Sequence, residues 1–259
     1  MERSSRILIF VVTYNAENHI HDTLSRIPSK WLEEMDYEIL ILDDASTDST
    51  IERVRLFIEQ SSGLHLTVQS NASNLGYGGN QKKGYSYAVE NSFDIVVLLH
   101  GDGQYAPEYL PAMIDPIISG DADVVLGSRM IKRLDALKGN MPLYKWIGNQ
   151  VLTWMQNRLL GMNLSEYHTG YRAFRIKSLM DIPLVENSNY YDFDTEILIQ
   201  LHDMGNRFRE ISIPTFYGDE ISYVNGFKYA WLILAATLKS RFVKKGWVSD
   251  PRFHYTNGS

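Results

Sequence analysis

Cysteine is missing from this sequence of 259 residues. Its absence excludes disulfides and thiolate metal sites, so any metal must be held by oxygen or imidazole. Long apolar runs are missing too. Ile7–Val12 is ended by Thr13-Tyr14-Asn15 and is too short for the apolar core of a signal peptide. The longest later stretch, Ala230–Leu238, falls well short of the roughly 20 apolar residues of a membrane-spanning helix. Nor is there an excess of positive charge: 25 Lys and Arg stand against 31 Asp and Glu, a formal net charge of −6. Coating nucleic acid needs a basic surface to meet phosphates, so no nucleic-acid partner is expected and there is room only for a local basic patch. Internal repeats and low-complexity segments are absent as well.

What remains is an ordinary globular composition, 44% hydrophobic and 22% charged, long enough for one large α/β domain or two small ones. Short apolar runs alternate with helix-like segments. Ile7–Thr13, rich in β-branched residues, reads as a buried strand, with Tyr37–Leu42, Leu64–Gln69, Asp94–Leu99 and Asp123–Leu126 as further strands. Between them, Glu17–Ile27 is expected as a helix stopped by Pro28, and Ser49–Gln60 as a helix capped by Asp48 or Ser49. A Gly-rich loop from Asn74 to Asn80 leads into a helix ending near Glu90. Strand and helix in turn predict a Rossmann-like α/β fold: a mainly parallel sheet with helices on both faces.

The second half is less regular. Arg129–Met141 reads as a mobile loop punctuated by Gly139 and closed by Pro142. A long helix is expected from Leu143 to Leu160, then strands near Tyr171–Phe174 and Phe208–Ile213 flanking a helix over Phe193–Met204. Ala230–Leu238 reads as a packed C-terminal helix. The sharper alternative is a helix that touches a membrane surface, because Lys228, Lys239, Arg241, Lys244 and Lys245 flank it. The tail after Gly246 shows no pattern, and Asn257-Gly258-Ser259 is expected to fray.

In an open parallel sheet, ligands bind beyond the carboxyl ends of the strands, and the polar motifs here sit at such ends. Val12-Thr13-Tyr14-Asn15-Ala16-Glu17 follows the first strand. Asp43-Asp44-Ala45-Ser46-Thr47-Asp48-Ser49-Thr50 follows the second. An aspartate there can accept from a base N–H or from ribose hydroxyls, and two adjacent carboxylates repel unless something uses them. Asp48 and Ser49 read as helix caps. His100-Gly101-Asp102-Gly103-Gln104-Tyr105-Ala106-Pro107-Glu108 follows the fourth strand. Pro107 suits the first turn of a helix. Gly101 and Gly103 would let a ligand approach the backbone closely, and Asp102 would project from a tight turn. One carboxylate, a side-chain carbonyl and diphosphate oxygens suit a hard cation such as Mg²⁺ or Mn²⁺.

Taken in order, Tyr14-Asn15-Ala16-Glu17, the run from Asp43 to Thr50, Leu75-Gly76-Tyr77-Gly78-Gly79-Asn80, the run from His100 to Glu108, and Gly127-Ser128-Arg129 resemble the family 2 glycosyltransferases of GT-A fold. Within that family they most resemble the polyprenyl-phosphate (dolichyl-phosphate) mannosyl- and glucosyltransferase branch, over residues 6 to 216. The resemblance implies a metal-dependent, inverting transfer of a hexose from a UDP- or GDP-sugar to an acceptor, first of all a polyprenyl phosphate, in cell-envelope glycan synthesis. It implies that Val12, Tyr14 and Glu17 line the base and ribose, that Asp44 with Asp43 holds the base edge, and that the loop from Gly76 to Asn80 lies under the donor. His100 and Gly101 would border the nucleotide sugar. Asp102 would bind the metal and diphosphate, with Gln104 as a second metal ligand. Arg129 would meet an anionic phosphate, and Lys145, with Asn149 one helical turn on, would face the acceptor phosphate. Thr169-Gly170-Tyr171-Arg172 matches the branch's small-Gly-aromatic-basic segment. The implied division is a nucleotide-sugar-binding half over 1–128, an acceptor-binding half of the same domain over 129–246, and a tail over 247–259.

The sequence also departs from the branch. His100 replaces the first carboxylate of an acidic-x-acidic motif. An imidazole can hydrogen-bond a ribose, pack, or ligate Mn²⁺, but it brings no negative charge. Glu166 stands where an aspartate is common, and His168 reads as a loop histidine with a structural hydrogen bond. The C-terminal membrane helices frequent in the branch are not found in this sequence.

Two other enzyme classes fit poorly. A dinucleotide oxidoreductase needs G-x-G-x-x-G directly after the first strand, where TYNAEN stands; a sugar nucleotidyltransferase also places a Gly-rich loop there. A non-catalytic nucleotide-sugar-binding module is the alternative outside enzymes, with His100 in its favour. Among glycosyltransferases the alternative is a sugar hydroxyl as acceptor, in surface polysaccharide or glycoconjugate synthesis. That chemistry needs a general base, and Asp194 lies in the region where hydroxyl-accepting members place theirs. A phosphate acceptor is already an anion and needs none. The expected mechanism is direct displacement at the anomeric carbon, with Arg129, Lys145 and Arg172 positioning anionic groups. The expected location is cytoplasmic, with peripheral contact at the inner face of the membrane if the C-terminal helix touches lipid. The sequence carries no signal for an oligomeric state.

Overall fold

A computed structural model describes residues 5–61, 63–216 and 226–255; the expected fraying of Asn257-Gly258-Ser259 lies outside the described residues. In chain order the elements are β1 (Arg6–Thr13), α1 (Ile20–Ser25), α2 (Ser29–Leu32), β2 (Asp36–Asp43), α3 (Thr50–Gln60), β3 (Leu66–Ser70), α4 (Tyr77–Glu90), β4 (Ile95–His100), α5 (Leu110–Ile118), β5 (Val124–Ser128), α6 (Arg133–Lys138), α7 (Leu143–Leu160), β6 (Arg172–Arg175), α8 (Ile176–Met180), α9 (Phe193–Asp203), β7 (Phe208–Ser212) and α10 (Gly226–Lys244).

The strands form one sheet in the order β3-β2-β1-β4-β6-β5-β7. Every pairing is parallel except those of β6, which runs antiparallel to β4 and β5. The winding reverses between β1 and β4, so the loops leaving these two strands diverge and open a crevice. The register puts the motif residues side by side there: Thr13 pairs with Asp43, and Val12 with His100. Because β6 runs the other way, its first residues rather than its last lie near that end, and Arg172 pairs with Leu98. This reversal carries Thr169 and Gly170 to His100.

The near-continuous apolar runs of β1, β2 and β4 are what a sheet covered on both faces requires. Ile7, Ile9, Val11, Ile39 and Ile41 pack against α1, α3 and α5. Leu8, Phe10, Leu40, Leu42 and Val96 pack on the other face against α4, α8 and α9. Each such side chain contributes on the order of 1.5–3 kcal/mol by leaving water.

Several expected boundaries shift for local reasons. The first helix starts at Ile20 rather than Glu17, because Asn15 takes a positive φ of 49° and the Ala16 carbonyl accepts from both His19 and Ile20. The Gly-rich stretch is mostly the first turn of α4 rather than a loop. Arg129–Met141 is not a loop throughout: α6 lies inside it, and Met130, Ala136 and Met141 bury together against Trp146. Ser49 occupies the cap position of α3, but Asp48 does the capping, its Oδ1 accepting from the Thr50 N–H at 3.0 Å. The patternless tail holds a helical turn at Pro251–Phe253 that Arg252 ties to Asp250 and Glu196. Among the described residues, no helix is long and apolar enough to cross a membrane.

Candidate active site

The loops after β1 and β2 are stitched to each other by their own polar groups. Asp43 accepts from Thr13 Oγ1 (3.2 Å), from the Ser46 N–H (3.0 Å) and from Ser46 Oγ. Asn15 donates its N–H to Ser46 Oγ (2.8 Å), and its Oδ1 accepts from the Thr47 N–H (2.9 Å). Glu17 and its partners interlock: the Glu17 N–H donates to Asp48 Oδ2 (3.2 Å) while the Ser49 N–H donates to Glu17 Oε2 (2.9 Å). Asp44 carries the next segment, accepting at Oδ1 from the Leu75 N–H and Asn71 Nδ2 (both 2.8 Å), and at Oδ2 from the Gly76 N–H (3.1 Å). Asn80 closes this network, donating to the Leu42 carbonyl (3.2 Å) and accepting from Asn71 (2.9 Å).

The two adjacent carboxylates therefore coexist because each has its own donors. Asp43, Asp44 and Asn80 are buried and Glu17 is latched, so all four hold together the loops at this end of the sheet. Val12 is half-buried, and Tyr14 projects with 43% of its surface exposed. The first N–H groups of α4, from Gly78 and Gly79, are taken by the Asn189 carbonyl (2.8 and 3.3 Å). The Gly76–Asn80 stretch thus anchors the segment around Asn189.

Asp102 sits half-buried on the turn after β4. Its Oδ1 accepts from the Gln104 N–H at 3.1 Å, and among the described residues no hydrogen bond engages Oδ2. Gln104 is half-buried beside it. Gly101 is required from beneath rather than by a ligand: a Cβ there would lie 2.7 Å from Thr13 Cγ2 and 2.9 Å from Ile20 Cδ1. Gly170 lies flat on the His100 ring, where a Cβ would come 2.5 Å from Nε2. His100 Nε2 stands 3.5 Å from Tyr77 Oη, the outer limit of a hydrogen bond, and the ring meets Tyr105 edge-on. Burial lowers the pKa of His100 against the pull of Asp102 and Asp194. The imidazole is thus neutral near pH 7 and adds no charge to the site.

On the other side of His100, the two arginines expected to hold anions are turned inward. Arg172 is 0% exposed. Its Nε donates to the Thr169 carbonyl (2.7 Å), Nη2 to the Tyr167 carbonyl (3.0 Å), and Nη1 to the Asp194 carbonyl (2.8 Å), with the Asp194 carboxylate 3.3 Å away. Arg172 is a strap between the 167–169 loop and α9, which corrects its reading as an anion-positioning group. Asp194 also accepts from Tyr77 Oη (2.9 Å) and Gln81 Nε2 (3.2 Å). Arg129 folds onto Glu166, donating from its backbone N–H (2.8 Å), from Nε (3.1 Å) and from Nη2, which also reaches the His168 carbonyl (2.9 Å). Asn149 Nδ2 donates to the same carboxylate (2.8 Å). Burial pushes the Glu166 pKa up, but the charge and hydrogen bonds of Arg129, with Asn149, hold it below the usual range. Lys145, one turn before Asn149 on α7, is half-buried at this edge.

His168 gives the site a pH signature. Its Nδ1 lies 2.9 Å from Tyr229 Oη, and Nε2 is buried with no hydrogen-bond partner among the described residues. Burial lowers its pKa to about 4. The unfolded ring takes a proton below about pH 6.5, and the folded ring does not. The unfolded state therefore binds more protons between about 6.5 and 4, and stability falls as pH falls through that window. Between pH 7 and 5, urea unfolding should show wild type losing about 2 kcal/mol more than His168→Gln. Equal losses in the two proteins would remove this assignment.

Among the described residues, no three His, Cys, Asp or Glu side chains gather as metal ligands. The protein offers Asp102 Oδ2 with Gln104 next to it, a hard-oxygen set that fits a cation completing its shell from a substrate diphosphate. The roles of Tyr77, which joins His100 to Asp194, and of Gln81, which donates to Asp194, were not evident from the sequence. The usable signal was their i, i+4 spacing, which puts both on one face of α4.

Comparison with known proteins agrees with this fold. The pattern described as glycosyl transferase family 2 matches residues 8–182. The chain is 27% identical over 220 residues to the undecaprenyl-phosphate mannosyltransferase of Micrococcus luteus, covering 83% of this chain and 85% of that one. It is 30% identical over 222 residues to the UDP-N-acetylglucosamine–dolichyl-phosphate N-acetylglucosaminyltransferase of Methanococcus voltae, covering 82% and 86%. Among solved structures, glucosyl-3-phosphoglycerate synthase of Mycobacterium tuberculosis in complex with UDP superposes with a TM-score of 0.68 at 17% identity, over 91% of this chain and 79% of that one. The same enzyme has been solved with Mn²⁺, UDP and glucosyl-3-phosphoglycerate. With a sheet that reverses at β1 and β4 and motif residues gathered at that point, this chain belongs to glycosyl transferase family 2, as a hexosyltransferase of GT-A fold.

Proposed function

We propose that this hexosyltransferase moves its sugar from a nucleotide diphosphate donor to a polyprenyl phosphate, by direct displacement with inversion. The state of Asp194 carries the choice of acceptor. A hydroxyl acceptor needs a base with room to take a proton. Asp194 is buried under Tyr77, Gln81 and Arg172, which occupy its oxygens. A phosphate arrives as an anion and needs no such base. The relatives named for undecaprenyl phosphate and dolichyl phosphate favour the same acceptor.

In this reading Tyr14 and Val12 form the rim that meets the base, while Asp43, Asp44, Glu17 and Asn80 hold that rim in place. Asp102, with Gln104, would hold Mg²⁺ or Mn²⁺, which when bound offsets negative charge on the diphosphate. Gly101 and the neutral His100 border the ribose and sugar. Arg129, neutralised by Glu166, shapes the acceptor mouth, and Lys145 approaches the acceptor phosphate.

Transfer to a short polyprenyl phosphate and to simple sugar alcohols, compared across wild type, Lys145→Ala and Asp194→Asn, tests the proposal. Lys145→Ala should raise KM for the lipid phosphate by about tenfold with kcat little changed, as loss of one exposed charge-assisted contact does. Asp194→Asn should lose less than tenfold in rate, against the roughly 10²–10⁴ of a lost base. Transfer to hydroxyls alone, with a collapse in Asp194→Asn, would replace this acceptor with a sugar hydroxyl. Absence of any donor turnover would leave a binding module.

A further inference from the structure

The turn at Pro251–Phe253 belongs to none of the motifs, yet hydrogen bonds connect it to the first turn of α4. Asp250 fixes the Arg252 guanidinium, accepting from Nε at 2.9 Å and from Nη2 at 2.7 Å. Lys239 holds Asp250 in turn, at 2.8 Å. Nη1 of Arg252 donates to Glu196 Oε1, and the other Glu196 oxygen accepts from the Ser188 N–H at 2.7 Å. A second link runs alongside. Gln200 Nε2 donates to the Arg252 carbonyl (2.7 Å) and to Asn187 Oδ1 (2.6 Å), while Asn187 Nδ2 donates back to Gln200 Oε1 (2.9 Å). Glu196 and Gln200 stand four positions apart on one face of α9, and both are 0% exposed. A buried carboxylate is costly unless it is paired and hydrogen-bonded. Glu196 draws its donors from outside its own helix, one from the tail and one from the segment that precedes α9.

That segment bears directly on the start of α4. The Asn189 carbonyl accepts from the Gly78 and Gly79 N–H groups. A Cβ on Gly76 would lie 2.7 Å from the Asn189 oxygen, and one on Gly78 would lie 2.5 Å from the Ser188 oxygen. Backbone therefore rests on backbone with no side chain between, and contact this close passes a displacement on rather than absorbing it. Tyr191 sets its ring 5.1 Å from that of Tyr77, whose hydroxyl donates to Asp194. Arg252 thus reaches the first turn of α4 through Glu196, Ser188 and Asn189.

We propose that Arg252 is a positioning residue for donor binding, holding the first turn of α4 in place beneath the nucleotide sugar. The donor's place over α4 rests on the reading above; the mechanical link from Arg252 to Gly78 does not. A second clasp on the same helix separates position from stability. Asp203, the last residue of α9, is held by Arg241, Lys244 and Tyr255, at the opposite end of the helix from Asp194.

The test uses the full chain as wild type, Arg252→Gln, Arg252→Lys and Asp203→Asn. Without donor or metal, the amides of Ser188, Gly78 and Gly79 should exchange hydrogen at least about tenfold faster in Arg252→Gln than in wild type, as local opening does. UDP-glucose and GDP-mannose, with Mg²⁺ and a short polyprenyl phosphate, serve as donor probes. For the donor that wild type uses, Arg252→Gln should raise KM about tenfold with kcat within about threefold. Arg252→Lys, which keeps the cation, should fall between the two. Asp203→Asn should lower the melting temperature and leave donor KM and the three amides as in wild type. If Arg252→Gln does not fold, Asp250→Asn takes its place, because it keeps an oxygen to cap the turn while loosening the hold on Arg252. Unchanged exchange at the three amides would overturn the proposal. So would faster exchange with an unchanged donor KM, or an equal rise of KM in Asp203→Asn. A wild type that turns over neither donor would sink the donor reading and with it the donor role of Arg252, while the exchange of Gly78 and Gly79 would still decide the mechanical link.

Discussion

Asp102→Asn is expected to lower sugar transfer by roughly 10³-fold or more in either Mg²⁺ or Mn²⁺, the scale of removing a group that stabilises charge on the leaving group. Asparagine keeps an oxygen for the Gln104 N–H that Asp102 Oδ1 accepts, so the turn after β4 should survive. What goes is the negative oxygen that a hard cation needs. The readout is therefore double. Wild type should gain melting temperature from nucleotide diphosphate and gain more when metal is added, since a ligand that binds only the folded state stabilises it. The variant should keep the first gain and lose the second. A folded Asp102→Asn protein with undiminished, metal-dependent turnover would remove Asp102 from the metal site.

Glu166→Gln is expected to be the most damaging single change to stability. Arg129 is buried on Glu166, through its side chain and its backbone N–H. Breaking a buried ion pair from one side takes from the arginine the carboxylate it is folded onto, at a cost of about 3–5 kcal/mol. For a chain of this size that lowers the melting temperature by about 10 °C. Adding Arg129→Met should return much of the loss, because it removes the stranded charge, and the double-mutant cycle should show coupling of at least about 1 kcal/mol. Additive effects of the two changes would mean that Arg129 and Glu166 do not act as a pair.

The sheet was legible in the sequence because β1, β2 and β4 are buried on both faces and so read as unbroken apolar runs. The helix over Leu143–Leu160 was legible because proline precedes it and Gly161 ends it in a left-handed conformation. Its polarity was not, since spacing says which residues share a face but not which face turns inward. The loops after β1 and β2 were legible as a set of motifs, though not as a network. Nothing local marks Asp44 as the acceptor for Leu75 and Gly76, 31 and 32 positions away. Arg172 shows the same limit more sharply. A basic residue in a motif looks like an anion site, and only the antiparallel course of β6 reveals that its guanidinium enters the core and is used by backbone carbonyls. Arg129 and Glu166 are 37 positions apart, and neither residue alone signals that it is half of a pair.

On the proposed reading, the stitching of the loops after β1 and β2 bears on how donor preference could change. Asp43, Asp44, Glu17 and Asn80 each hold backbone or neighbouring side chains, so altering any of them disturbs the pocket's shape before it alters its taste. Val12, half-buried at the end of β1, has an apolar side chain that makes no hydrogen bond to this frame. A library aimed at exchanging one nucleotide for another should therefore vary that thin outer margin and leave the carboxylates alone. Selectivity would be rewritten on the rim of a rigid frame, which asks far fewer simultaneous changes than rebuilding the frame.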